Sequence, residues 1–262
     1  MPVSERAATA ANAPVALVTG AGRRIGRAIA ADLAANGFQV AIHAHSSMPE
    51  AEGLAGEIIA AGGRATVVNG DLTQPQAPAQ VMRKACEALG PVRLLVNSAS
   101  IFERDEIGDI EVERYERHQA IHTRAPILLT QEMAAALPAE ATALVVNIID
   151  QRVWKLTPQF FSYTLSKAAL WTATQTMAQA LAPRIRVNGI GPGPTLANTR
   201  QQAEDFARQA GAVLLGRGPA LPEFGRTIRF LWETPSITGQ MIALDGGQHL
   251  AWETPDVVGI AE

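Results

Sequence analysis

Cysteine is almost absent: Cys86 stands alone in 262 residues, so no disulfide can close within the chain and no thiolate set can hold a structural metal. Its plain reading is a buried helix residue, and the chain is expected in a reducing compartment, without metal. Charge of one sign is lacking too. Lys plus Arg number 22 against 25 for Asp plus Glu, which leaves no global field to draw in nucleic acid or an anionic membrane. Aromatic residues make up only 5 % and form no stripe with the dispersed arginines, so nucleic-acid binding finds no support. No apolar run approaches the roughly eighteen residues of a membrane span, and the Ala-rich start from Met1 to Pro14 holds no continuous apolar segment of a secretion signal. Internal repeats, Ser/Gly linkers and composition breaks are missing as well. The expectation is a cytoplasmic protein with one domain over 15–250, between an N-terminal tail (1–14) and a C-terminal tail (251–262), acting on a small molecule.

What is present is a hydrophobic fraction of 47 %, enough for a sizeable core, and a regular alternation of short apolar runs with helical patterns. Strands are expected at Val15 to Thr19, Gln39 to His43, Ala65 to Asn69, Leu94 to Asn97, Ala143 to Ile149, Ile185 to Asn188 and Gln240 to Leu244. Most are β-branched and apolar on both faces, as strands of a covered parallel sheet should be. Helices are expected at Arg24 to Asn36, Ala51 to Ala61, Ala77 to Leu89, Val112 to Leu137, Ser162 to Leu181 and Leu221 to Trp232, with Gly37, Gly62 and Gly90 just past three of them. The fold class is therefore α/β: a single Rossmann-type, doubly wound parallel sheet of about seven strands flanked by helices, with its ligand at the carboxyl ends of the strands.

The first strand leads directly into Thr19-Gly20-Ala21-Gly22-Arg23-Arg24-Ile25-Gly26 and then a helix. Glycines there let the backbone approach a pyrophosphate that the helix N-terminus stabilises, although a tight strand-to-helix turn is the plainer alternative. An NAD site would place an acid after the second strand, but this chain has His43-Ala44-His45-Ser46-Ser47. Two hydroxyls, two imidazoles and the nearby Arg23 suit a 2′-phosphate, so NADP(H) is preferred; the alternative for His43 and His45 is that they cap a strand edge. Asp71-Leu72 follows the third strand, where the carboxylate would accept from an adenine amino group or serve a turn.

Tyr163 and Lys167 stand four apart on one expected helix face, so the ammonium can lie close to the phenol and favour its phenolate. A tyrosine so placed can exchange a proton near neutral pH. Asp150 closes the fifth strand upstream of them. A carboxyl there can exchange a proton with a substrate nitrogen, whereas a neutral hydroxyl would suffice to polarise a carbonyl; capping the next segment is its other reading.

The glycine turn, Asn97-Ser98-Ala99-Ser100, Tyr163-x-x-x-Lys167, Arg186-Val187-Asn188-Gly189-Ile190-Gly191-Pro192-Gly193, Thr238-Gly239 and Asp245-Gly246-Gly247 together resemble a short-chain dehydrogenase/reductase over nearly the whole chain. Arg24 at the middle-glycine position, Ser98 and Ser100 in the Asn-Asn-Ala-Gly motif, and Asp150 at the catalytic serine resemble the pteridine reductase branch. Gly22-Arg23-Arg24-Ile25-Gly26, Ala120-Ile121-His122-Thr123 and Asp245-Gly246-Gly247-Gln248-His249-Leu250 are similar to bacterial dihydromonapterin reductases, also called alternative dihydrofolate reductases. His122 falls where many members carry an Asn that supports a relay water.

The resemblance implies NADPH-dependent reduction of a dihydropterin C=N bond, in dihydromonapterin or dihydrofolate. It implies Tyr163 as the acid, Lys167 on the nicotinamide ribose, and Asp150 orienting or protonating that pair. It also implies Phe102 on a pterin face and Ser100 and Arg24 on pterin edge atoms and pyrophosphate, with Asp150 and Tyr163 also touching substrate. The cofactor would meet Gly20, Arg23, Arg24, Ile25, His43, His45, Ser46, Ser47, Asp71, Leu72, Ser98, Ala99, Ser100, Tyr163, Lys167, Pro192, Gly193 and Thr195, no metal being called for. A substrate lid over about 195–218 and a homotetramer are implied as well. A flat, electron-poor pterin needs an aromatic face, which Phe102 can supply. Trp154, Phe160 and Phe161 would line the pocket mouth, a subunit contact or the core, and the run Leu165, Ala168, Ala169, Trp171, Thr172 fits core or a helix-helix subunit face. Arg200, Arg208 and Arg217 would meet a folate tail or be solvated helix charges. Two rival readings stand beside this one: a carbonyl reductase of another substrate class, with Asp150 as a polar support, and a non-catalytic NADP(H)-sensing module, against which the presence of both Tyr163 and Lys167 speaks.

Overall fold

The computed structural model describes residues 13–197, 201–254 and 258. Seven short aliphatic runs pair side by side, all parallel, into one sheet of order β3-β2-β1-β4-β5-β6-β7. The strands are β1 (Val15–Val18), β2 (Gln39–Ala44), β3 (Ala65–Asn69), β4 (Val92–Asn97), β5 (Ala143–Ile148), β6 (Ile185–Pro192) and β7 (Met241–Leu244). Successive side chains leave opposite faces of a strand, and both faces are covered here. Ala16, Val18, Val40, Ile42, Leu94, Val96, Leu144 and Val146 face one layer, packed on Ile29, Leu33, Leu54, Phe224 and Ile228. Their neighbours Leu17, Ala41, Leu95, Val145 and Val187 face the other, packed on Val81, Met82, Leu129, Met133 and Ala178. Each large apolar side chain removed from water this way stabilises the fold by about 1.5–3 kcal/mol.

The first layer is α1 (Arg24–Ala35), α2 (Met48–Ala60) and α8 (Leu221–Glu233); the second is α3 (Ala77–Leu89), α5 (Ala125–Ala136) and α6 (Phe161–Leu181), joined by α4 (Val112–Gln119). Gly37, Gly62 and Gly90 follow α1 to α3 with left-handed backbone, as expected of C-terminal glycines. The long helix expected from Val112 to Leu137 is interrupted by a π turn at Ala120–Arg124, which turns His122 inward. Asp32 of α1 pairs with Arg229 of α8 at 2.9 Å. None of the helices described is long and apolar enough to cross a membrane.

Two departures from the sequence reading have physical reasons. β6 runs on through Gly189-Ile190-Gly191-Pro192, because pairing with β5 and β7 outweighs the breaker composition, and Gly189 leaves room where a Cβ would lie 2.5 Å from Ile149 Cδ1. The chain also forms α7 (Ala203–Gly211), with no buried residue among its nine, so it lacks the core-facing stripe that reveals a helix. Of the run read as core or a subunit face, Leu165 and Thr172 are exposed on α6.

Candidate active site

The carboxyl ends of β1, β2, β4, β5 and β6 converge on one edge, and the turn after β1 is built for close approach. Gly20 has φ +64, and a Cβ there would sit 2.8 Å from Ala99 Cα; one at Gly22 would sit 2.3 Å from Ser47 Oγ. The N-terminus of α1 has neither a side-chain cap nor an acid in its first turn, leaving its N–H groups to an anion. Arg24 holds φ +53, an uncommon conformation for a side-chain-bearing residue. Its guanidinium donates to the carbonyls of Ala197 (2.8 Å) and Leu196 (3.1 Å), tying the turn to the segment after β6. Ile25 packs against the first core layer.

His43 requires a correction. The Gly20 N–H donates to its Nδ1 at 3.2 Å, so the ring proton sits on Nε2 and is directed at the Gly70 carbonyl at 2.9 Å. Burial pushes its pKa down to about 4. His43 is thus a neutral strut beneath the turn and not a cation for a 2′-phosphate. His45 and Ser46 are exposed, Ser47 is half-buried beside Gly22, and Arg23 is exposed with Glu50 as its partner. Asp71 accepts from Thr73 N (3.0 Å) and Thr73 Oγ1 (2.7 Å), the turn alternative, and Leu72 is buried in the second core layer.

Thr19, which the sequence reading passed over, accepts from the N–H groups of Ser98 (2.9 Å) and Ala99 (3.0 Å) and so fixes the loop after β4. Ser100 is exposed, its Oγ 2.9 Å from His122 Nε2. Pro192 ends β6, the Gly193 N–H donates to the Leu244 carbonyl at 2.9 Å, and Thr195 Oγ1 donates to the Gly193 carbonyl at 3.0 Å. A Cβ on Gly193 would lie 2.6 Å from Asp245 Cα, so only glycine fits that bend.

Tyr163 and Lys167 share one face of α6, and Asp150, just past the end of β5, meets the phenol. Tyr163 Oη donates to Asp150 Oδ2 at 2.8 Å, and Lys167 Nζ donates to the Ile148 carbonyl at 2.7 Å. Asp150 Oδ1 accepts the Arg152 N–H at 2.8 Å, so it caps the short turn Gln151–Val153 while holding the phenol. Burial pushes Asp150 up from the usual carboxylate range, against the pull of Arg152, Tyr163 and Lys167. Burial also brings Lys167 down to about 8, opposed by Asp150. The expectation that Lys167 makes the phenolate easy is corrected. Burial first, then the Asp150 charge, holds the Tyr163 phenol well above its ordinary value, and Lys167 Nζ stands 5.7 Å from the ring centroid. Tyr163 is a protonated donor in this state.

Phe102 packs edge-on to Tyr163 (4.8 Å between centroids, 82°) and stacks on Phe160 (4.1 Å, 7°). Trp154, 43 % exposed, lies against Trp171 and His249, and Phe161 is half-buried. Sequence reasoning also missed Arg152 and Asp105. The Arg152 guanidinium lies 5.0 Å from Phe160 and 5.4 Å from Phe102, 4.0 Å from Asp150 Oδ1. Asp105 is fully buried and accepts the Ser162 N–H at 3.1 Å, fixing the first turn of α6 from the β4 loop. Arg208 pairs with Asp205 on α7 and Arg217 with Glu223 at 3.2 Å, both exposed, while Arg200 lies outside the described residues.

The family profile described as short chain dehydrogenase matches residues 14–208. The structure of FolM alternative dihydrofolate reductase 1 from Brucella suis, in complex with NADP, is similar at 58 % identity and TM-score 0.92, covering 95 % of this chain and 100 % of that one. Dihydromonapterin reductase of Shigella boydii is 27 % identical over 89 % of this chain and 96 % of its own length. A 3-oxoacyl-[acyl-carrier-protein] reductase of Synechocystis is 30 % identical over 91 % of this chain and 98 % of its own length.

Proposed function

The chain belongs to the short-chain dehydrogenase family of oxidoreductases, and from that premise we propose that it reduces a dihydropterin C=N bond, in dihydromonapterin or dihydrofolate, with NADPH. The observation that carries this reading is the Asp150 carboxylate 2.8 Å from the Tyr163 phenol, with Phe102 beside it. Likeness to an alternative dihydrofolate reductase bound to NADP and to a dihydromonapterin reductase supports it. The cradle residues fit a dinucleotide: Gly20 and Gly22 open the turn, the N-terminus of α1 has no side-chain cap, and Arg23, Ser46 and Ser47 would hold a 2′-phosphate. When bound, NADPH supplies the hydride.

The chain's own residues handle the proton. Asp150 and Tyr163 share a hydrogen-bonded proton, and raised proton affinity on both keeps the pair loaded near neutral pH. That pair delivers its proton to the ring nitrogen next to the carbon that is reduced, while Lys167 behind it offsets the negative charge left on the pair. Phe102 sets the plane of the ring, and holding the partners in register supplies much of the rate. The lid over about 195–218, the homotetramer through the exposed face of α6 and the cytoplasmic location belong to the same proposal.

NADPH oxidation measured against dihydromonapterin, dihydrofolate, dihydrobiopterin and a panel of ketones and 3-oxoacyl thioesters tests it. Turnover of at least one dihydropterin is expected. Activity confined to the carbonyl substrates would instead give the carbonyl-reductase reading, to which the 3-oxoacyl reductase similarity points.

A further inference from the structure

We propose that His122 is a positioning residue: it staples the Ser100-Ile101-Phe102 segment to the helix that carries Tyr163 and Lys167, and so sets where the substrate's ring stacks relative to the proton donor. Its consequence for substrate rests on the pterin reading; the staple itself does not.

His122 sits in the π turn at 1 % exposure, and both ring nitrogens are engaged across the site. The Ile101 N–H points at Nε2 from 3.2 Å. A backbone amide can only donate, so Nε2 carries the lone pair and the ring proton resides on Nδ1. Nδ1 lies 2.8 Å from Ser166 Oγ, which therefore accepts from His122 and passes its own proton to the Tyr163 carbonyl at 2.7 Å. Ser100 Oγ, 2.9 Å from Nε2, completes the set on the loop side. One neutral imidazole thus connects two consecutive residues before Phe102 with a serine one turn along from Tyr163.

The rest of the loop shows why that staple is needed. Thr19 holds the loop at Ser98 and Ala99, and Asp105 holds its far end to Ser162. Between those anchors, Ser100 and Ile101 are tied to α6 through His122. The imidazole ring also stands perpendicular to Tyr163, 5.2 Å away, and fills the space behind the phenol. Protonation would convert Nε2 from acceptor to donor and set it against the Ile101 N–H. Burial, and then the Lys167 and His118 charges, keep the imidazole neutral across the physiological range. A group with both nitrogens committed and no contact with Tyr163 Oη or Lys167 Nζ is placed to hold geometry, not to pass protons to the phenol.

Two readouts separate the staple from a relay and from the pterin reading. In His122→Ala and Ser166→Ala, amide hydrogen exchange at Ile101, measured without substrate, should accelerate at least tenfold. This result does not depend on which substrate is reduced. With the best substrate found, KM should rise about tenfold or more, while kcat falls less than fivefold, the apparent pKa values of the kcat profile hold, and the NADPH dissociation constant stays within twofold. His122→Gln, whose carboxamide offers both an acceptor and a donor, should recover much of the lost KM and protection. Unchanged Ile101 exchange in a folded variant would overturn the staple. A collapse of kcat at constant KM, with a displaced limb in the pH profile, would overturn it in favour of a proton path. Should His122→Ala fail to fold, Ser166→Ala and His122→Gln carry the same decision.

Discussion

Asp150 uses its two carboxylate oxygens for different ends: Oδ1 caps a turn and Oδ2 meets the Tyr163 phenol. The capping contact and the contact with the phenol therefore coexist in one side chain. Burial raises its folded pKa above the ordinary carboxylate value. The folded state then binds more protons than the unfolded chain between the two pKa values, so stability falls as pH rises through that interval. At pH 7 Asp150 is therefore a net cost to the fold. Asp150→Asn keeps an oxygen for the Arg152 N–H and removes the charge. The expected outcome is turnover lowered about a hundredfold or more, with NADPH affinity kept and a melting temperature equal or higher by a few degrees, taking about 2–4 °C per kcal/mol for a chain of this size. Steady-state kinetics, cofactor titration and thermal melts on one preparation check it; a lower melting temperature with unchanged turnover would make Asp150 a structural cap only. That Tyr163 and Lys167 share a helix face was legible in the sequence, because helical spacing fixes it, whereas the place of Asp150 beside the phenol came from the family resemblance. The engagement of His43 and the height of the Tyr163 pKa were not, because both arise from burial by residues distant in sequence.

The loop from Ser98 to Glu111 is the element that turns the sheet edge into a site. It carries no regular structure, and side chains reaching across hold its first half: Thr19 at Ser98 and Ala99, His122 at Ile101, and Asp105 to Ser162. Asp105 caps α6 from outside that helix, which is why no local capping signal marks the start of α6 in the sequence. The same dependence on remote partners hid the extension of β6, while α7 was hidden by having no buried face. Strands and helices with their own apolar pattern were legible to within a few residues. Because Tyr163 lies in the first turn of α6, Asp105→Ala should lower stability by about 1 kcal/mol or somewhat more. It should reduce kcat severalfold by loosening the phenol, and Asp105→Asn, which keeps an acceptor, should recover most of both. Denaturant unfolding together with turnover decides; a stability loss that leaves kcat untouched would uncouple the cap from the site.

Across the whole molecule, two imidazoles are locked neutral on either side of the switch from β1 to β4: His43 beneath the phosphate turn and His122 behind the phenol. Sequence alternation implied a doubly wound sheet, but the strand order that brings these two histidines to one edge is a property of the wound chain. Burial depresses both pKa values below the usual 6.5, His43 to about 4. An unfolded chain binds protons on these histidines first, so their contribution is fully present above about pH 6.5 and is lost as pH falls from there toward the folded values. Each unit of displacement is worth about 1.4 kcal/mol, which makes His43 alone a loss of roughly 3 kcal/mol by pH 4. His118, also buried and lowered from 6.5, acts in the same sense as these two, so a His43 variant is needed to isolate the His43 part; the remaining shifted groups act elsewhere. The Lys167 shift acts between about 8 and its ordinary value, and Asp71, held down by its Thr73 bonds against the upward push of burial, acts below its ordinary carboxylate pKa. Asp150 acts in the opposite sense. Melting temperatures taken from pH 8 down to pH 4 should therefore be level to about pH 6.5 and then fall steeply. In His43→Asn, which cannot take up a proton, the slope between pH 6.5 and 4 should flatten even where the variant is less stable at pH 8. An unaltered acid slope in that variant would mean that His43 is not the group that ties the phosphate turn to pH.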